Sequence, residues 1–235
     1  LTYKGFGMLN GNSTSNLLLD YKAEHSDQYW EMMRYLFGGE YPLFTHIKME
    51  MGNDGNNSTG AEACTMRYEN EEADASRSPG FVMAADAKKI NPNVTYGISP
   101  AGNIDNLTSK YSYYVDIYKW TKSTQYVDYI CPQIYWTFSQ KTCPFRETTN
   151  KWLAIPRAKS VKVYVGLGGY RAGISKREAK LGADAEWGTS RTNLKRQLLY
   201  LRSQNGCGGF MLFSYSDLIR KSARSEMKRF TKLLK

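Results

Sequence analysis

The chain alternates between apolar runs of strand type and segments of helical type, and this order constrains its fold more than any other feature. Six runs are short, apolar and bounded by turn residues. They are Tyr3–Met8, Phe44–Met51, Val94–Ser99, Val127–Trp136, Val161–Leu167 and Gly208–Ser214. Strands that alternate with helices form parallel sheets, because each helix carries the chain back to the start of the next strand. This alternation predicts an α/β fold with a parallel sheet or barrel, and of the two we expect a (β/α) TIM-type barrel.

Start and stop signals place helices between these runs. Five helices are indicated, and they begin near Ser26, Ser78, Tyr111, Ser190 and Ser216. The second has proline at its first helical position, a common helix start, and Asn91-Pro92 ends it. In the last helix, the spacing predicts that Met227, Phe230 and Leu234 face the core.

The predicted barrel is smaller than a complete one. A complete barrel has eight strands and about 250 residues, whereas this chain has 235 residues and six clear strands. The barrel is therefore abridged, or two weak strands escape the pattern. Residues Gly52–Ser78 show no periodicity, and loops of that length are usually functional or disordered. We treat residues 1–235 as a single TIM-barrel-like domain.

The chain has a formal net charge of +10, and its basic surplus lies in residues 146–235. A basic region can attract nucleic acid. However, six basic residues near the C-terminus are spaced to decorate the solvated face of one helix. They are Arg220, Lys221, Arg224, Lys228, Arg229 and Lys232. Since no nucleic-acid-binding motif is present, we expect no nucleic-acid partner.

Membrane, metal and cofactor signals are weak or absent in the sequence. No run of about 18 apolar residues occurs, which indicates no membrane span. The first residues lack a signal-peptide core and an initiating methionine, so we expect a soluble chain that is already trimmed. We also expect a monomer. Gly166-Leu167-Gly168-Gly169 does not continue into a dinucleotide fingerprint, so we interpret it as close backbone packing or a turn. We predict no cofactor.

Cysteines and glycosylation sequons bear on metal binding and on location. The four cysteines, Cys64, Cys131, Cys143 and Cys207, form no C-x-x-C pair and have no histidine cluster nearby, so we predict no metal site. Cys131 is expected to be a buried strand thiol. Sequons occur at Asn12, Asn57, Asn93 and Asn106 and suit an extracellular or secreted protein.

Four blocks in the first part of the chain resemble the opening of glycoside hydrolase family 59, the galactocerebrosidase family. The blocks are Tyr3–Gly7, Asn12–Leu18, His46–Gly55 and Ala87–Val94. They occur in the family's order and spacing over about residues 3–95. The resemblance implies a barrel that acts on a galactoside, with Thr14 as a sugar contact on the loop after the first strand.

The rest of the chain resembles the C-terminal half of the glycosyl-hydrolase-like family 10 barrels. The blocks that carry this second resemblance are Tyr96–Gly102, Lys119-Trp120, Val127–Trp136, Val163–Gly168 and Phe213–Ser216. The changeover near Thr95 coincides with the start of a strand. We therefore interpret the chain as a mosaic of a family-59-like fragment (residues 1–95) and a second fragment (residues 96–235), natural or engineered.

The catalytic carboxylates that the first family would supply are missing. Its acid/base glutamate lies in a Trp-Asn-Glu motif, which this sequence lacks, and its nucleophile has no counterpart. Hydrolysis of a glycosidic bond canonically needs two carboxyl groups on either side of the bond. Barrel enzymes place such groups at the C-terminal ends of strands. The carboxylates of this chain that meet this condition are therefore the catalytic candidates.

Glu50 is the strongest candidate, because it ends a strand and alternation directs it inward with Lys48. An ion pair of Glu50 with Lys48 or Arg67 is the alternative interpretation. Asp54 follows closely, although an Asp before glycine is more often a turn residue. Asp184 and Glu186 lie after the fifth strand, where a solvated loop is the more ordinary interpretation.

Aromatic and amide side chains at strand ends form the candidate sugar-binding set. A ring face can pack on the apolar face of a pyranose, and an amide can exchange hydrogen bonds with sugar hydroxyls. The candidates are Gln133, Tyr135, Trp136, Tyr170, Trp187 and Tyr215. Core packing is the alternative for each ring. Several rings at strand ends favour a sugar cleft.

Two functional hypotheses remain open. The first is a glycoside-hydrolase-like barrel that acts on O-glycosidic bonds of a galactoside or related glycan, using Glu50 and a second acid. The second is a non-catalytic carbohydrate-binding barrel, or an engineered chimeric scaffold without the usual carboxylates. Both make a carbohydrate the expected partner.

Overall fold

The protein folds around one parallel sheet that curls into a partial barrel. The structure, a computed structural model, describes residues 2–11, 14–51, 65–66, 71–107 and 115–234, without the side chains of Glu50 and Met51. Within these residues the strands are β1 Gly7–Asn10, β2 His46–Met51, β3 Thr95–Pro100, β4 Tyr129–Ile130, β5 Lys162–Leu167 and β6 Cys207–Leu212. Each strand pairs in parallel with the next along the chain. The fold is therefore α/β, as predicted.

Contacts across the sheet show how far it curls. The Lys48 Nζ atom on β2 lies 5.4 Å from the centre of the Phe213 ring, directly after β6. The rings of Phe6 and Tyr215 also meet, with their centres 6.0 Å apart. Residues from the first and last parts of the sheet thus approach one another across its concave side.

Each of the six predicted runs contains or overlaps a strand, and two depart most from their predicted bounds. Gly5 has a φ of 106°, and the first strand begins only after this left-handed residue. The run Val127–Trp136 keeps only two residues in β4. Pro132 within it has no backbone N–H to donate to a ladder, and beyond it only isolated bridges from Gln133 continue the pairing.

Ten α-helices occur in the described residues. They are α1 Thr14–Glu24, α2 Ser26–Phe37, α3 Pro79–Ile90, α4 Ile117–Trp120, α5 Phe145–Leu153, α6 Lys176–Leu181, α7 Glu186–Thr189, α8 Asn193–Arg202, α9 Tyr215–Leu218 and α10 Arg224–Thr231. The prediction of α2 and α3 is confirmed. The predicted helix from Tyr111 is limited to α4 in the described part, since residues 108–114 lie outside it. The prediction of a single last helix is wrong, because a 3₁₀ turn at Lys221–Ala223 separates α9 from α10.

One hydrophobic core lies between the sheet and its helices. Tyr29, Met33 and Phe37 of α2 lie one turn apart and are buried in it. Leu194, Leu198 and Leu201 of α8 are buried in it as well. Phe230 of α10 is buried as well, whereas Leu234 is 42% exposed, contrary to prediction. In the described part of the chain, the helices are too short or too polar to cross a bilayer.

Candidate functional site

An open cleft lies at the C-terminal ends of β3, β4 and β5. It has a volume of about 230 Å³, and its lining comes from the segments that follow these strands. After β3 come Ala101, Gly102, Asn103 and Asn106; after β4 come Gln133, Tyr135 and Trp136; after β5 come Tyr170 and Arg171. Backbone bridges from Gln133 to Ala101 and to Gly166 bring the three strand ends together. This is the end of a parallel sheet where ligands usually bind.

Glycines allow the strand-end segments to approach this closely. A Cβ atom on Gly102 would lie 2.3 Å from the Gln133 carbonyl oxygen and 2.7 Å from the Trp136 ring. On Gly166 it would lie 2.8 Å from the Pro132 carbonyl oxygen. The interpretation of Gly166-Leu167-Gly168-Gly169 as close backbone packing is thereby confirmed.

Three aromatic rings form a cluster beside the cleft. The Tyr135 and Tyr170 rings meet edge to face, with their centres 5.4 Å apart. The Tyr135 ring also lies nearly parallel to the Phe213 ring, at 6.3 Å and 13°. Edge-to-face and offset contacts of this kind are favourable and restrict ring rotation. The cluster therefore holds the two tyrosines of the lining in fixed positions.

Buried side chains hold the backbone of the segment that carries Tyr135 and Trp136. The Trp187 indole N–H donates to the Tyr135 carbonyl at 3.1 Å, and the Gln197 amide donates to the Trp136 carbonyl at 2.9 Å. The Thr137 backbone N–H donates to Asp184 at 2.7 Å, and its hydroxyl donates to the other carboxylate oxygen at 2.5 Å. Three successive residues are thus fixed from below the cleft.

The opposite wall is held in a similar way. The Trp152 indole N–H donates to the Gly102 carbonyl at 2.7 Å. The Gln133 amide donates to the Ser99 carbonyl at 3.0 Å, which ties the β4 side of the cleft to β3. The Asn103 side chain caps a 3₁₀ turn by accepting from the Asp105 N–H at 3.2 Å. Both walls are therefore formed before any ligand arrives.

Four of the predicted sugar-binding residues meet in this cleft, namely Gln133, Tyr135, Trp136 and Tyr170. The other three lie elsewhere. Thr14 is the exposed first residue of α1, and its hydroxyl donates to the Gly11 carbonyl at 2.5 Å. Trp187 is buried beneath the cleft and reaches it through its bond to Tyr135. Tyr215 is 63% exposed and packs on Phe6.

Asp184 and Glu186 do not line the cleft. The solvated-loop interpretation was wrong for Asp184, which is 2% exposed and bound to Thr137. Glu186 pairs with Arg196 and accepts from the Ser139 hydroxyl at 2.7 Å. Burial alone would raise the pKa of Glu186, but the Ser139 bond and the Arg196 charge bring it below its ordinary value.

Of the other two acidic candidates, only the backbone of Glu50 is described. Asp54 lies outside the described residues, and so does Arg67. The backbone of Glu50 pairs with Ser99 near the C-terminal end of β2, and its side chain is not described. Lys48, two residues earlier, is 8% exposed and faces the Phe213 ring. Beside it, burial raises the pKa of the Cys131 thiol, against the effect of the Lys48 charge.

Sequence reasoning missed three polar residues of the lining, Asn103, Asn106 and Arg171. Asn106 was considered only as a sequon. Arg171 directly follows Tyr170 in the segment after β5, so its position in the chain was a usable signal. Asn103 and Asn106 lie just beyond β3, a strand end that the aromatic criterion did not select because it carries no ring.

The sequence model of glycosyl hydrolase family 59 matches residues 3–153. The galactocerebrosidase of Salmo salar is 36% identical over 96 residues, which are 40% of this chain and 14% of that protein. The galactocerebrosidase of Homo sapiens is 34% identical over 95 residues, 40% of this chain and 13% of that protein. The resemblance to family 59 is thereby confirmed, and the family match continues past residue 95.

A second group of relatives matches as well. The glycosyl hydrolase DigH of Escherichia coli strain K12 is 31% identical over 98 residues, 37% of this chain and 22% of that protein. Each of these three relatives thus matches well under half of this chain, which fits a mosaic. The matched part is also less than a quarter of each relative's own length. The solved endo-beta1,6-glucanase BT3312 aligns with 96% of this chain and 56% of its own, at 12% identity and a TM-score of 0.45.

Proposed function

Since the chain belongs to glycosyl hydrolase family 59, we propose that it is a glycoside-hydrolase-like barrel that acts on O-glycosidic bonds of a galactoside or related glycan. One observation carries this proposal. A cleft at the C-terminal ends of parallel strands is lined by Tyr135, Trp136 and Tyr170 together with the amides of Asn103 and Gln133. Aromatic faces beside amide groups are the combination that a sugar requires.

The lining suits the two kinds of surface that a pyranose presents. Its C–H faces are apolar and pack on rings such as that of Trp136, whereas its hydroxyls need donors and acceptors. Asn103 and Asn106 can supply both from the β3 side. Because the walls are held by Trp152, Trp187 and neighbouring bonds, little ordering would accompany binding.

The proposed catalytic carboxylates are Glu50 and Asp54. Asp184 and Glu186 already bind Thr137, Ser139 and Arg196, so neither is free to reach a ligand. The backbone of Glu50 lies beside Ser99, two residues before the first cleft residue on β3. A pair about 5–5.5 Å apart would give retention, and a separation of roughly 6.5–9.5 Å would give inversion.

Release of a chromophore from aryl β-galactosides tests this proposal. We expect Glu50→Gln to lower kcat by at least about 100-fold, since a general acid or base contributes on that order. Glu31→Gln, an exposed carboxylate on α2, is the matched control and should retain the wild-type rate. Equal rates in the wild type and Glu50→Gln would remove Glu50 from the mechanism.

Non-catalytic carbohydrate binding is the second candidate function. In its favour, no carboxyl side chain appears among the described residues that line the cleft. The sequence also lacks the Trp-Asn-Glu motif expected for family 59. Under this alternative, the wild type binds the galactoside without cleaving it. Trp136→Ala should then weaken binding by about tenfold, whereas the exposed-ring control Tyr35→Ala on α2 should not.

Three finer properties belong to the same proposal. The partial barrel is proposed to have TIM-type architecture, with six strands described. Sequons such as those at Asn12, Asn57, Asn93 and Asn106 support secretion. Asn106 lines the cleft, where an attached glycan would stand in the way of a ligand. Protein made in a bacterial host avoids this complication in the binding measurements. We also propose that the protein is a monomer.

A further inference from the structure

Arg171 is the one charged side chain among the described residues that line the cleft. It ends a 3₁₀ turn, Gly169–Arg171, that directly follows β5. Its guanidinium carbon lies 5.4 Å from the centre of the Tyr170 ring. Arg171 thus carries a permanent positive charge at the wall of the cleft, at the end of a strand and beside an aromatic ring of the lining.

Gly182 provides the space that the guanidinium occupies. A Cβ atom at Gly182 would lie 2.3 Å from Arg171 Nη1 and 3.2 Å from its guanidinium carbon. The stem of Arg171 also runs close to Gly168, where a Cβ would lie 3.4 Å from the Arg171 Cγ. The side chain is therefore positioned by its close approach to two glycines, and no acidic residue of the described part of the chain pairs with it.

The hydrogen-bonding capacity of Arg171 is unmet within the described structure. It forms no ion pair among the described residues, and its buried Nε–H has no acceptor there. Six other arginines of the described residues do have acceptors. Arg77, Arg196 and Arg220 each pair with a carboxylate, and Arg157, Arg191 and Arg202 donate to backbone carbonyls. A buried donor without an acceptor is unfavourable. The two terminal guanidinium nitrogens of Arg171 also donate to no acceptor among the described residues, so they can donate to an acceptor that a ligand brings.

From this geometry we infer that the cleft selects glycans with an anionic substituent, a carboxylate or a sulfate ester, which Arg171 binds. This inference rests on the proposed sugar-binding function and names its substrate class. A guanidinium offers parallel N–H donors that match two oxygens of either group. The described lining contains no acidic side chain to repel such a ligand, and the chain has a net charge of +10.

Binding of matched methyl glycosides by calorimetry tests the inference. The probes are methyl β-galactoside, its uronate and its 6-sulfate, with methyl β-glucoside and methyl β-glucuronide as a second neutral and acidic pair. We expect the wild type to bind at least one acidic probe about tenfold more tightly than its neutral counterpart. Raising the salt concentration from about 0.05 M to 0.5 M should weaken binding of the acidic probe more than binding of its neutral counterpart.

Two variants assign the preference to Arg171. Arg171→Met keeps the length of the side chain and leaves no described acceptor unpaired, so it should fold and lose the preference. Gly182→Ala keeps the charge but displaces the guanidinium, and it should reduce the preference as well. Arg177→Met removes an exposed charge on α6 and should behave as the wild type.

The outcomes separate this inference from the proposed function. Equal binding of the acidic and neutral probes by the wild type overturns the inference and leaves sugar binding intact. An acidic preference that survives in Arg171→Met also overturns it. If no probe of either kind binds, both the inference and the proposed function fail. Whichever of the uronate and the 6-sulfate binds more tightly to the wild type identifies the anionic group that the cleft prefers.

Discussion

At the scale of single residues, the side chains beneath the cleft matter as much as those that line it. Asp184 was a catalytic candidate from its position after β5. In the structure both of its oxygens accept hydrogen bonds from Thr137, the residue that follows Trp136. An acid in this position serves to hold the aromatic segment. Only the fold could reveal this, because Asp184 and Thr137 are 47 residues apart in the chain.

Asp184→Asn separates a structural role from a catalytic one. The amide nitrogen of asparagine would take the place of one carboxylate oxygen. It would then face a donor of Thr137 instead of accepting from it, so we expect the free energy of unfolding to fall by about 2 kcal/mol. Sugar binding should weaken by less than about tenfold, because the cleft residues themselves remain. Urea unfolding and calorimetry measure the two quantities. Loss of hydrolysis with unchanged stability would instead identify Asp184 as a catalyst.

At the scale of elements, a buried acid joins the first three helices. Asp86 on α3 accepts from Lys22 of α1 at 2.6 Å, from Lys89 at 2.9 Å and from the Tyr29 hydroxyl of α2 at 3.1 Å. Burial alone would raise the pKa of Asp86, but the two lysines bring it below its ordinary value. Burial and the nearby Asp86 charge raise the pKa of Tyr29. Charge pairing thus fixes how these helices pack.

Asp86→Asn should lower the free energy of unfolding by about 2 kcal/mol near neutral pH. This is less than for a fully buried pair, because Lys22 and Lys89 are 29% and 64% exposed. A lowered folded-state pKa stabilises the protein above the carboxyl pKa of the unfolded chain, and this contribution is lost as the pH falls through the lowered value.

The difference between Asp86→Asn and the wild type should therefore shrink in acid. Chemical denaturation at several pH values checks this expectation, with Asp20→Asn, an exposed acid on α1, as the control. A difference that stays constant from neutral pH down to about pH 2 would show that the charge of Asp86 does not contribute.

At the scale of the whole molecule, the predicted junction near Thr95 lies inside the sheet. Residue 95 begins β3, which pairs with β2 over six residues and also with β4. One hydrophobic core includes Tyr29 from the first part and Phe230 from the second. Whatever the origin of the two parts, they share a sheet and a core.

We therefore expect the chain to unfold in one cooperative transition. Far-UV circular dichroism and tryptophan fluorescence should give the same midpoint, and the calorimetric and van 't Hoff enthalpies should agree. Residues 96–235 expressed alone should not give a cooperative transition, because β3 would lose its β2 partner. Two separate transitions in the full chain would show that residues 1–95 and 96–235 fold as independent units.

The order and type of the strands and the aromatic character of the cleft follow from local sequence patterns. Strand periodicity is local, so runs such as Phe44–Met51 and Val161–Leu167 are legible without a structure. Because parallel strands end on a common edge, Gln133, Tyr135, Trp136 and Tyr170 could be expected to meet. The family resemblance of residues 3–95 was equally legible, since it rests on residue identity alone.

Which side chains are free to act depends on the tertiary structure. Burial and pairing depend on residues far apart in the chain, so Asp184 could not be recognised as a support for Thr137, nor Trp187 as a support for Tyr135. For the same reason, Arg171 stood out only when no described acid was found beside it. Local patterns fix which element a residue belongs to, whereas its chemical role is set by neighbours that the fold brings to it.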